Sequence, residues 1–181
     1  TLLKTLYNII EKQRRELEFG HNVKIGYFDQ QMKFTDEEKT VFHEMSEAFP
    51  ELTTTQIRTL LGTFLFTGED VFKKIKVLSD GEKSRLQLCK IFKKGPNLLL
   101  LDEPTNHMDI IGKESLENIL KEYKGTLIFV SHDRYFVNKI ADCILEFEKD
   151  KDKDKDEIDI DKDNKKEKIK VTFFDGNYED Y

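Results

Sequence analysis

A parallel α/β fold is what this 181-residue sequence predicts, on three observations. Leu98-Leu99-Leu100-Leu101 is a run of leucines without alternation, the pattern of a strand covered on both faces by helices. Gly125-Thr126-Leu127-Ile128-Phe129-Val130 is a second run of the same kind. Between them Leu116, Ile119 and Leu120 recur at helical spacing among Lys113, Glu114, Glu117, Lys121 and Glu122, which fits an amphipathic crossover helix. Strand, helix and strand then form a right-handed βαβ unit. That handedness carries Asp102-Glu103 and Ser131-His132-Asp133 to one edge of the sheet, beyond the carboxyl ends of the strands, where ligands bind in such folds.

The remaining elements follow in chain order. Thr1 to Leu17 has apolar residues at Leu2, Leu3, Leu6, Ile9, Ile10 and Leu17, a helical period with no capping residue before it. Leu17 to Phe19 and Val23 to Phe28 read as two strands about the turn Gly20-His21-Asn22, closed by Asp29-Gln30-Gln31. Thr35-Asp36-Glu37-Glu38 has the form of a capping box and predicts a helix with Val41, Phe42, Met45 and Phe49 inward, ended by Pro50. Thr53-Thr54-Thr55-Gln56 repeats the device before Ile57, Leu60, Leu61, Phe64 and Leu65. Ser79-Asp80-Gly81-Glu82 is a third box, opening a helix that turns Leu86, Leu88, Cys89 and Phe92 inward. The free N–H groups at such a helix start are a natural phosphate contact. Residues 31–95 thus read as a helical block inserted in the α/β core.

From Glu148 to Lys168 the sequence collapses into Lys/Asp alternation, with 10 acidic and 8 basic residues among 21. That is too much charge to bury, and the segment reads as a solvated insert between strands over Cys143 to Phe147 and Ile169 to Phe174. Its interleaved aspartates cancel most of the attraction its lysines would have for nucleic acid.

Composition excludes several classes. With 38% hydrophobic and 36% charged residues the chain is that of a soluble domain, and no apolar run is long enough to span a bilayer. Thr1 to Leu6 lacks the basic start and cleavage site of a secretory signal. Cys89 and Cys143 have neither metal-ligand spacing nor a disulfide framework, so a reducing cytoplasm is the plain setting. His21 and His43 read as solvated. A net charge of −6 argues against broad wrapping of nucleic acid. Lys73, Lys74, Lys76, Lys83, Arg85, Lys90, Lys93 and Lys94 form a basic cluster in sequence that reads as an exposed helix surface.

The chemistry concentrates at Asp102-Glu103-Pro104. Pro104 cannot extend a ladder, so the strand stops at the carboxylate pair. One carboxylate of such a pair can hold Mg²⁺ through water while its neighbour orients a water for attack on a phosphate. His132, brought to the same edge, reads as catalytic or phosphate-sensing in preference to a solvated loop histidine.

Taken together, Leu78-Ser79-Asp80-Gly81-Glu82, Leu98 to Glu103, Asp109 and Ser131-His132 resemble the ordered motifs of an ATP-binding cassette: signature, Walker B, D-loop and H-loop, with Gln30 in the Q-loop position. The wording Asp102-Glu103-Pro104-Thr105-Asn106-His107-Met108-Asp109, with Ser131-His132-Asp133-Arg134-Tyr135-Phe136 and the tail Asp175-Gly176-Asn177-Tyr178-Glu179-Asp180-Tyr181, is similar to the ABC-F subfamily. The resemblance implies a P-loop NTPase cassette with a mostly parallel sheet and an inserted helical subdomain, and a soluble, cytoplasmic protein with two cassettes in one chain. It further implies action on the ribosome near the exit-tRNA site during translation, in some members as antibiotic resistance by ribosome protection. With ATP and Mg²⁺ as cofactors, it assigns Asp102 and Gln30 to the metal, Glu103 to the attacking water and His132 to the γ-phosphate. Ser79, Gly81 and Glu82 would face the nucleotide held by the N-terminal cassette, and Asp109 would shape the contact between cassettes, as would Asn106 and His107 unless they are purely structural.

Two departures accompany the resemblance. No Gly-x-x-x-x-Gly-Lys-Ser/Thr occurs, so the phosphate cradle is missing. Thr1-Leu2-Leu3-Lys4 resembles the residues that follow that loop, and because the helix starts without a capping residue the sequence reads as truncated, with a naturally loop-less cassette as the rival explanation. The segment alone is then expected to be inactive, a single partial cassette over 1–181. The short stretch between Gln30 and Leu78, where a first cassette of the subfamily carries a long arm, makes it the second cassette. The other departure is Asp80, where cassettes usually carry glycine. Rival readings are the nucleotide-binding subunit of a membrane transporter and a non-catalytic interaction module.

Overall fold

The structure, a computed structural model, describes residues 2–7, 20–29, 34–149 and 169–176. They divide into two compact units, Thr1–Asp133 and Arg134–Tyr181.

The first unit is built on a parallel sheet. β1 (Ile25–Asp29), β2 (Leu98–Asp102) and β3 (Thr126–Val130) lie in the order β1-β2-β3 and in strict register, Asp29 opposite Asp102 and Asp102 opposite Val130. The three strands therefore end at one level. Leu99, Leu100 and Leu101 are fully buried, as a strand with both faces covered requires. α1 (Leu2–Leu6) contributes Leu3 to a cluster with Tyr27 and Leu100, and the Tyr7 and Tyr27 rings stack with centroids 4.7 Å apart. The longer helix expected to Leu17 and the strand expected over Leu17 to Phe19 fall on residues 8–19, outside the described residues. β3 corrects an expectation: its side chains are half-buried or exposed, because among the described residues it pairs with β2 alone.

Between β1 and β2 lies the helical block: α2 (Val41–Ala48), α3 (Thr54–Thr63), two 3₁₀ turns (Gly68–Phe72 and Ile75–Val77) and α4 (Asp80–Lys93). Thr53 and Ser79 cap α3 and α4 as reciprocal boxes, each hydroxyl accepting from the backbone N–H of Gln56 or Glu82 while that residue's side chain accepts from the cap N–H. The box expected at Thr35 does not form. Thr40 caps α2 instead, and Asp36 accepts from Glu38 N–H in a local turn. The cause is tertiary. The backbone of residues 37–41 bonds to 73–76, while Glu37 pairs with Lys83 and Glu38 with Lys74 and Lys76.

These pairs also settle the basic cluster. Lys73 meets Asp70, Lys90 meets Glu44 and Lys93 meets Glu51, so it is a seam of ion pairs that ties the helices together rather than a cationic face. On α4, Leu86, Leu88, Cys89 and Ile91 are buried. Phe92, expected inward, is only half-buried and stands among Phe64 and Tyr123. Burial pushes the Cys89 thiol up to about 12, so it stays protonated and unreactive across neutral pH, whereas Cys143 is exposed. Iodoacetamide at pH 8 is expected to label Cys143 and spare Cys89 until denaturant is added, with peptide mass spectrometry as the readout.

α5 (Ile110–Glu122) joins β2 to β3 as predicted, with Leu116 and Leu120 buried. In the second unit, α6 (Arg134–Ile140) leads to an antiparallel pair, β4 (Cys143–Lys149) and β5 (Ile169–Asp175), in which Lys149 faces Ile169. The charged stretch 150–168 falls between them, outside the described residues.

Candidate functional site

The site forms where β2 ends. Glu103 takes left-handed backbone, φ 49°, and its N–H donates to the Val130 carbonyl at 2.9 Å, so the chain leaves the sheet while still bonded across to β3. A non-glycine residue in this region carries strain, and such residues collect at functional sites. His107, φ 59°, is a second one in the same loop.

Glu103 and His132 meet as the crossover topology predicts. The His132 backbone N–H donates to Glu103 Oε2 at 3.2 Å, and His132 Nε2 lies 3.5 Å from Oε1 without forming a hydrogen bond. The imidazole is 96% exposed and the carboxylate 22%. Oε1 of Glu103 is a buried acceptor with no hydrogen-bond partner among the described residues, a costly state. Lys113 holds the neighbouring turn by its 2.6 Å bond to Asp133, whose N–H donates to Ser131 Oγ.

Asp102 ends β2 level with Asp29. Asp29, which sequence reasoning passed over, accepts from the Tyr27 hydroxyl at 3.2 Å and pairs with Lys4 at 3.0 Å. Burial, the charge and hydrogen bond of Asp29, and the charge of Asp102 hold the Tyr27 hydroxyl well above the usual phenol range, so it remains a donor. Oxygen donors such as Asp102 fit Mg²⁺, which takes one or two carboxylates and fills its other positions with water and phosphate. No group of three or more His, Cys, Asp or Glu forms a metal cage among the described residues. Gln30, the other metal candidate, lies outside them.

Ser79 and Gly81 open α4, with Glu82 turned back to cap Ser79 N–H, so its carboxylate is occupied within the helix start. Gly81 is there for space: a Cβ on it would stand 2.6 Å from the His107 carbonyl oxygen. Asp109 caps α5 by accepting from Gly112 N–H at 3.0 Å and pairs with Arg85 at 3.3 Å. Thus the structure brings Glu103, His132 and Asp102 together at the strand ends, and sets Gly81 against His107 and Met108 of the 103–109 loop, whose end Asp109 is held by Arg85. A separate cavity of about 260 Å³, lined by Tyr7, Tyr27, Lys24, Lys94 and Pro96, opens beside the amino ends of β1 and β2, away from the carboxylates.

The family model for "ABC transporter" matches residues 1–106. The chain belongs to the ATP-binding cassette family. Its relatives include members of the ABC transporter F family. It is 49% identical over 146 residues to the putative ATP-binding protein YdiF of Bacillus subtilis (strain 168), covering 81% of this chain and 23% of that protein. With ABC transporter F family member 2 of Arabidopsis thaliana it shares 45% over 148 residues, 81% of this chain and 22% of that one. With the energy-dependent translational throttle protein EttA of Escherichia coli (strain K12) it shares 35% over 185 residues, 98% and 30%. The chain therefore spans less than a third of the length of these relatives. Among solved structures, an RNase-L inhibitor superimposes with a TM-score of 0.66 at 19% identity, covering 82% of this chain and 29% of that one, which supports the cassette fold. No helix among the described residues is long and apolar enough to cross a membrane.

Proposed function

We propose that this is the C-terminal cassette of an ABC-F protein that binds ATP with Mg²⁺, hydrolyses it at the face shared with an N-terminal cassette, and uses the cycle to act on the ribosome in translation, in the cytoplasm. The observation that carries the catalytic part is the state of Glu103. One oxygen is fixed by His132 N–H, while the other makes no hydrogen bond among the described residues and lies 3.5 Å from His132 Nε2, a carboxylate left with a free acceptor position for the proton of an attacking water. Asp102 and Gln30 would hold the metal, and His132 would meet the γ-phosphate. The metal, when bound, neutralises phosphate charge; this chain supplies the base and the orientation.

Exposed apolar side chains support a partner surface. Val77 stands beside Ser79, and Ile110 and Ile111 beside Asp109, each more than 60% exposed. Apolar residues flanking the polar site loops are what a closing cassette would cover. Ribosome action rests on the relative named as a translational throttle, and protection against an antibiotic is the narrower form of the same reading. These 181 residues contain no phosphate cradle, so alone they turn over no ATP.

Co-sedimentation of the full-length Glu103→Gln protein with ribosomes and with membranes, each with and without ATP, tests the reading. ATP-dependent movement with ribosomes is expected; partition to membranes alone overturns it in favour of a transporter subunit.

A further inference from the structure

Two buried side-chain atoms lack a hydrogen-bond partner among the described residues, Glu103 Oε1 and Arg85 Nε. One belongs to the first residue of a loop, the other to a side chain of α4 that holds the loop's last residue. Residues 103–109 begin at Glu103, in left-handed backbone, and end at Asp109, which Arg85 holds by its Nη1. The loop lies along α4. Gly81 and Arg85 are four residues apart and share a face of that helix. At Gly81 the loop backbone comes so close that only glycine fits, and one turn later the Arg85 guanidinium reaches Asp109 from a place over the Phe66 ring, 5.7 Å from its centroid. Arg85 is 13% exposed and Phe66 is buried, so the guanidinium has little freedom; Asp109 is 64% exposed. A Cβ on Gly112 would stand 2.7 Å from Asp109 Oδ1 and 3.1 Å from Arg85 Nη1, so α5 is also kept bare where the pair forms.

We infer that Arg85 is a positioning residue of the hydrolytic site: by clamping Asp109 to α4 it fixes the 103–109 loop, and with it the carboxylate of Glu103, against the helix start at Ser79–Glu82. This rests on the ATPase reading above. Lysine is a poor substitute, since a point charge on a flexible stem lacks the planar fork that both packs on Phe66 and reaches Asp109.

Steady-state ATP hydrolysis by the full-length protein tests it, with wild type, Glu103→Gln, Arg85→Ala, Arg85→Lys, Asp109→Asn and the Arg85→Ala/Asp109→Asn double variant. Misplacing a catalytic group costs rate more than binding, so Arg85→Ala is expected to lower kcat about tenfold with KM changed less than about twofold. Asp109→Asn should produce a similar loss, the double variant no more than the worse single, and Arg85→Lys a partial recovery. Should Arg85→Ala fail to fold, Arg85→Lys and the exposed Asp109→Asn carry the test through the same kcat–KM split. Wild-type kcat in Arg85→Ala, or multiplying losses in the double variant, overturns the inference while leaving the ATPase reading intact. Equal inactivity of wild type and Glu103→Gln overturns both.

Discussion

Replacing Glu103 with glutamine is expected to lower ATP turnover by the full-length protein about 10²- to 10⁴-fold and to leave ATP bound. The geometry makes this substitution clean. A glutamine carbonyl can still accept the His132 N–H that Glu103 Oε2 now accepts, so the loop keeps its anchor and the left-handed turn at residue 103 is undisturbed. What disappears is the carboxylate, and with it the proton acceptor that the proposed mechanism requires. Single-turnover hydrolysis, with nucleotide retention followed by gel filtration, separates the outcomes; undiminished turnover would remove Glu103 from the mechanism. Glu103→Ala should behave worse, since it also releases the His132 backbone.

The second large effect concerns stability. Leu100→Ala is expected to destabilise the cassette by about 2–5 kcal/mol, because it opens a cavity in a strand buried on both faces and removes the partner of Leu3 and Tyr27. Equilibrium denaturation, followed by the shift in midpoint at constant slope, measures it. Leu145→Ala, on a half-exposed position of β4, serves as the control and should move the midpoint little. A small shift for Leu100 would mean that α1 and β1 close over the vacated volume.

Parts of the molecule that depend on local signals were legible in the sequence. The leucine run and the crossover helix announced the βαβ unit, and the boxes at Thr53 and Ser79 fixed two helix starts to the residue. Thr35 shows the limit. It has the same pattern, but residues 73–83 take up the backbone and the glutamates, and a local rule cannot register that competition. Phe92 fails for a related reason, since α4 is covered by aromatic rings on more than one side and the boundary between buried and half-buried depends on its neighbours.

At the site, the meeting of Glu103 with His132 was readable because topology and motif wording agree. Arg85 with Asp109 was not, because the pair bridges two elements that each look complete alone. Asp29 was overlooked because a single aspartate at a strand end has no distinguishing pattern until register places it level with Asp102.

The pairing of Lys149 with Ile169 makes the β4–β5 hairpin a clasp: its two ends stay one strand spacing apart whatever joins them. For a flexible joining segment, doubling the length costs only about 0.6 kcal/mol of closure entropy. Evolution can therefore lengthen, shorten or rewrite the chain there almost freely, and so can an engineer. A fluorescent protein spliced between Lys149 and Ile169 would report the cassette's whereabouts in the cell.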